Sequence, residues 1–140
     1  MWSRPQRADL MKVACVQLIS PVDGKPMTDS AWVKVDAEYL VLSVFAVPGG
    51  RVQVQILTED GQSAGWFDAA MFMTSDASVP PNWIVNIRDG GELELTPARW
   101  AAPGFWESFY DGDPQARSAF AEELSIILAA SASASAPSVG

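Results

Sequence analysis

Five aromatic side chains fall within eleven residues near the end of this chain: Trp100, Phe105, Trp106, Phe109 and Tyr110. A small domain must either bury such a cluster or use it as the anchor of a binding surface. Phe105, Trp106, Phe109 and Tyr110 stand at i, i+1, i+4 and i+5, one side of a short helix. Gly112 is a stop for that helix. Asp113 then reads as an N-cap, with Pro114 at the first helical position, where its missing N–H costs nothing. Ala116, Phe120, Leu124, Ile127 and Leu128 follow at helical spacing, so a second helix is expected to about Ala130. Phe105 and Phe109 are expected in the core, with Trp106 or Tyr110 nearer the rim.

The preceding two thirds read as strands and turns. Val13–Ile19 is an apolar strand-like run, and Ser20-Pro-Val-Asp-Gly24 is a turn. An extended stretch follows at roughly 38–47, with Trp32 assigned to it along with Leu40, Leu42 and Val44. After Pro48-Gly-Gly50, Val52, Val54 and Ile56 alternate with Gln53 and Gln55, as in a strand with one wet face. Glu59-Asp-Gly-Gln62 turns the chain back into Gly65-Trp-Phe67, a hairpin. Asp68–Met73 reads as a short strand or a single helical turn. Val79-Pro-Pro-Asn82 interrupts the pattern, and a second hairpin joins 83–88 to 92–96 across Arg88-Asp-Gly-Gly91. The expectation is an α+β domain: a small antiparallel β-barrel or curled sheet covered by a C-terminal helical pair.

At 140 residues and 49% apolar composition the chain is long and apolar enough for one globular domain. It is expected to span 12–130, between a flexible leader at 1–11, where Met11 is an alternative start and Trp2 is exposed, and a disordered Ala/Ser tail at 131–140. No apolar run approaches the roughly 20 residues of a membrane span, and no secretory signal is visible. A cytoplasmic location is expected.

Histidine is absent and Cys15 is the sole cysteine. Ser-His-Asp and Cys-His catalysis are thereby excluded within the chain, as are His-ligated and Cys-rich zinc sites. Cys15, in an apolar run, reads as a small buried hydrophobe. Gly49-Gly50 and Gly90-Gly91 lack phosphate-loop spacing. Asp111-Gly-Asp113 lacks the remaining ligands of a calcium loop. No cofactor, metal or catalytic residue is expected.

The net charge is −8. Such a surface repels nucleic acid and membrane and attracts basic partners. The acid concentrates around Glu59, Asp60 and Asp68, and again at Glu107, Asp111, Asp113, Glu122 and Glu123. Glu107 and Asp111 lie four apart on one helix face, where paired carboxylates serve as acid and base or hold a cation; a solvated helix face explains them as well. Trp32, Trp66, Trp83, Trp100 and Trp106 are expected mostly in the core. Trp66 and Phe67 are consecutive, so on a strand they point to opposite faces and one is expected to be exposed unless the helices cover it. Trp66 and Phe67 with Glu59, Asp60 and Asp68 form the expected binding surface, and Glu107 and Asp111 keep a lesser claim.

From Lys34 to Phe72 the chain resembles a small SH3-like barrel. The likeness lies in Val-Asp-Ala-Glu-Tyr-Leu-Val-Leu at 35–42, the hairpin Val52–Trp66 with Glu-Asp-Gly at its tip, and the return through Phe67-Asp-Ala-Ala-Met-Phe72. The ordering that ends in Gly-Phe-Trp-Glu-Ser-Phe-Tyr-Asp-Gly-Asp-Pro is similar to small uncharacterised bacterial proteins, some of the toxin-immunity kind. The resemblance implies protein or nucleic-acid binding. With the charge it leads to an expected function: a non-catalytic module that docks a basic protein partner, as an immunity protein or inhibitor does. The alternatives are a carboxylate-dependent enzyme and an accessory subunit of a larger assembly. Neither partner identity nor oligomeric state follows from the sequence.

Overall fold

The computed structural model describes residues 10–20 and 22–135. Nine strands, two α-helices and two 3-10 turns follow in the described residues. β1 is Met11–Cys15, β2 Leu18–Ile19, β3 Pro26–Met27, β4 Glu38–Ala46, β5 Val52–Leu57 and β6 Ala64–Asp68. A 3-10 turn, Ala69–Met71, leads into β7, Phe72–Ala77. β8 is Trp83–Ile87 and β9 is Leu93–Pro97. A second 3-10 turn, Ala98–Ala101, precedes α1, Phe105–Tyr110, and α2, Pro114–Ser135.

β4 organises the main sheet. Its near-continuous apolar run suits a strand covered on both faces. β5 pairs with one edge, and β6 pairs with β5. The other edge is shared end to end: β1 takes Glu38–Val41 and β9 takes Val44–Ala46. β7 then pairs with β1, and β8 with β9, every pair antiparallel. β2 and β3 form a separate two-stranded hairpin.

Alternation on β4 feeds two cores. Leu42, with Leu40 beside it, packs with Leu10, Trp100, Phe109, Phe120, Leu124 and Ile127 under the helices. Tyr39 and Val41 face the opposite way, onto Val13, Cys15, Val33, Val54, Ile56 and Met71. A bulge between Val41 and Ser43 resets the register against β5. Ser43 then meets Thr96 in a buried hydroxyl pair, 2.8 Å apart.

Trp100 and Phe109 of the aromatic segment are core, Phe105 and Trp106 are half-buried against them, and Tyr110 is exposed. Trp100 is 1% exposed and stacks on Phe120 at 5.2 Å between ring centroids, and Phe109 is fully buried. Arg117 lies over the Phe109 ring at 4.2 Å, a cation–π contact. Asp113 caps α2 by accepting from the Ala116 N–H at 2.9 Å, and Gly112 takes a positive φ of 84° where α1 stops. Ala116, Ala119, Phe120, Glu123, Leu124 and Ile127 make the buried stripe of α2.

Several expectations are corrected. The sheet is open, not a closed barrel: the 3-10 turn after β6 sends β7 to β1, so β6 and β7 remain at opposite ends. The single strand expected at Val13–Ile19 is two, broken at Val16-Gln17, because both N–H groups there turn to the Met71 carbonyl (2.8 and 3.3 Å). Leu10, placed in the leader, is 2% exposed, and the strand begins at Met11. α2 continues past Ala130 to Ser135, and Leu128 is 45% exposed, on its outer side. Trp32 belongs to a loop and is 70% exposed. The expectations for 1–9, including Trp2, and for 136–140 lie outside the described residues.

Candidate functional site

A groove of about 1170 Å³ opens beside the β5–β6 hairpin. One wall is formed by residues of 18–20 and 22–32, which follow β1. The other wall is the β5–β6 hairpin, with Tyr110 of α1 at one end.

The first wall is fixed by its own turn chemistry. The Ser20 N–H donates to the Lys25 carbonyl and the Gly24 N–H to that of Ser20, each at 2.9 Å. Asp23 accepts from the Lys25 N–H (3.0 Å). Further along, Ser30 Oγ accepts from the Trp32 and Val33 N–H groups at 3.2 and 3.4 Å. Val33 is buried at 1% exposure, so the chain is pinned directly after Trp32 while the indole stays in solvent. Cys15 and the 36–37 turn close the base of this excursion: the Cys15 N–H bonds the Ala37 carbonyl and the Asp36 N–H that of Cys15. Asp36 takes φ 73° to do so.

The second wall carries the expected binding residues. At the hairpin tip Asp60 Oδ1 accepts from Thr58 Oγ1 and from the Gln62 N–H (2.5 and 2.9 Å). Those two bonds, the hydroxyl foremost, hold the Asp60 carboxyl below its ordinary range. Asp68 pairs with Arg51 at 2.7 Å and caps the following 3-10 turn through the Ala70 N–H (2.9 Å). Arg51 also reaches the opposite wall: a Cβ on Gly24 would lie 2.8 Å from its Nη2. Gly24 sits at φ 71°, the left-handed region for which its turn favours glycine.

Asp60, Trp66, Phe67 and Asp68 all line the groove. Trp66 and Phe67 are both half-buried. Trp66 rests edge-on to Phe45 at 6.4 Å, and Phe67 packs on the second core. Glu59 is exposed on the same hairpin tip but does not line the cavity, and Glu107 and Asp111 lie on and just after α1, away from it. Sequence reasoning missed Asp23, Asp29 and Trp32, which line the groove together with Asp60 and Trp66. Their signal was present as two aspartates and one tryptophan in the segment 22–32, but only tertiary structure shows which strands it borders.

The remaining chemistry is sparse. No group of three or more Cys, Asp or Glu side chains that could hold a metal ion lies together among the described residues. Cys15 is fully buried, and burial raises its thiol pKa, so it remains a protonated, poor nucleophile. No helix among the described residues is long and apolar enough to cross a membrane. Comparison of the chain with protein-family models, curated proteins and solved structures finds no match.

Proposed function

We propose that the chain is a non-catalytic protein-binding module that docks a basic segment of a partner protein in the groove between the 22–32 segment and the β5–β6 hairpin. The observation that carries this reading is the composition of the groove. Four carboxylates line it, Asp23, Asp29, Asp60 and Asp68, against one guanidinium, Arg51, which Asp68 already neutralises. Between them lie the apolar surfaces of Trp32, Trp66, Phe67 and Met27. A cleft with this lining holds an aliphatic or aromatic side chain flanked by lysine or arginine.

The likeness of Lys34–Phe72 to an SH3-like unit points the same way. Inhibition of a basic toxin, as by an immunity protein, is one function such a groove serves; the fold alone does not select it.

Selection from a random dodecapeptide display library tests the reading. Enriched sequences are expected to carry Lys or Arg beside apolar residues and to bind more weakly as salt rises. Binding is expected to fall by tenfold or more in D23N/D29N/D60N, about 1.4 kcal/mol in total for three lost charges, and to persist in E107Q/D111N. Failure to enrich cationic sequences, or equal binding by both variants, overturns the proposal.

A further inference from the structure

β6 is an edge strand with one free side, and it lines the groove. The ladder with β5 fixes which backbone groups face that side. Thr58 donates its N–H to the Ser63 carbonyl at 3.0 Å, and the register pairs Ile56 with Gly65 and Val54 with Phe67. In an antiparallel pair hydrogen-bonded and open positions alternate. Gly65 and Phe67 therefore bond inward to β5, while the backbones of Ala64 and Trp66 point outward. The Tyr110 hydroxyl occupies the Ala64 carbonyl at 2.6 Å, as that alternation requires. The Trp66 N–H and C=O have no hydrogen-bond partner among the described residues.

Exposed edges are normally guarded by proline, lysine or a bulge. β6, Ala-Gly-Trp-Phe-Asp, has none of these. β7 and β8 also end the sheet, but neither borders the groove, which β6 lines from Ala64 to Asp68.

Resting on the groove reading above, we infer that the partner segment binds as an added β-strand, pairing its backbone with Trp66 of β6 and setting cationic side chains against the groove carboxylates. Strand addition supplies affinity through the main chain and specificity through alternate side chains. The five residues of β6 extend roughly 17 Å at about 3.3 Å per residue, enough for a partner stretch of about five residues. Tyr110 closes one end by taking the Ala64 carbonyl. Beyond Asp68 the 3-10 turn takes the chain out of strand geometry. Trp66 and Phe67 project to opposite faces of β6, so alternate side chains of the partner strand meet one or the other. Its cations meet Asp60 near the Tyr110 end and Asp23 and Asp29 on the opposing wall.

The probe is a library of acetylated hexapeptides with Lys or Arg at alternate positions and Val, Ile, Thr, Leu, Phe or Tyr between, titrated into the full-length protein labelled with 15N. Strand addition predicts that binders slow exchange of the Trp66 amide by about tenfold or more, the effect of one ordinary hydrogen bond. It also predicts that N-methylation of alternate peptide amides abolishes binding in one frame and spares it in the other. If binders leave Trp66 exchange unchanged and tolerate N-methylation in both frames, strand addition is overturned while the acidic groove stands. If no hexapeptide binds although the dodecapeptide selection succeeds, strand addition is again overturned. If both screens fail, the groove reading falls with it.

Discussion

At the scale of single residues, Gln55 is the anomaly. It is fully buried, and neither its amide nitrogen nor its oxygen has a hydrogen-bond partner among the described residues. It lies across from Ser43 and Trp66 in the ladder, and the nearby hydroxyl pair of Ser43 and Thr96 satisfies itself. An unpartnered buried amide costs about 1–3 kcal/mol. Gln55→Met, close in length and volume, is expected to raise stability by about 1–2 kcal/mol, read as a higher urea midpoint at unchanged slope. The alternation of Val52, Gln53, Val54 and Gln55 was legible in the sequence, and it assigns the two faces. It did not reveal depth: Gln53 is exposed whereas Gln55, on the same face, lies at 0%. Asp60 behaves oppositely, being solvent-exposed with its acidity set by a neighbour. Thr58→Val removes the larger cause of its lowered pKa, so an NMR titration should show that carboxyl moving up. A depressed carboxylate contributes stability above its unfolded pKa and loses it as pH falls through the folded value. Thr58→Val is therefore expected to move the onset of acid-induced loosening at the hairpin tip to higher pH.

At the scale of elements, the C-terminal helices were the most legible part because their signals are local. Asp113 accepts from the Ala116 N–H three positions on, so a cap and its helix start can be read without knowing the fold. Asp113→Ala is expected to cost about 1 kcal/mol, and Asp113→Ser to recover most of it, by thermal or urea unfolding. The position of α1 depends on contacts distant in sequence. Its Tyr110 hydroxyl reaches the Ala64 carbonyl, 46 residues away, a bond no periodicity announces. Tyr110→Phe is expected to cost about 0.5–1.5 kcal/mol and to speed amide exchange at the Ala64 end of β6, with little effect on α2. The break after Cys15 was hidden for the same reason, since the chain departs there to meet Met71 and Asp36. So was the groove. Half of its acidic lining sits on a segment whose turns are readable, but whose place beside β6 is set by the Val33 anchor and the base formed by Cys15, Asp36 and Ala37.

At the scale of the whole molecule, two observations combine: the edge of β4 is shared end to end by β1 and β9, and β8, which pairs with β9 alone, is sparsely covered. Val13 and Cys15 of β1 are buried, whereas on the β8–β9 hairpin Val85 is 64% exposed and Ile87 71%. Segments with few buried apolar contacts open at lower free energy than the core. The sheet is consequently a fork with unequal tines, and each tine meets β4 without leaning on the other's hydrogen bonds. The β8–β9 tine is expected to fray first. Its amides should exchange at rates nearly independent of low denaturant, while those of β1 and the adjoining half of β4 wait for global unfolding. Exchange of both groups in one cooperative step would contradict this. A protein built this way has a loose tine that lies apart from the groove, and its fluctuations are free to occur while the acidic cleft keeps its shape.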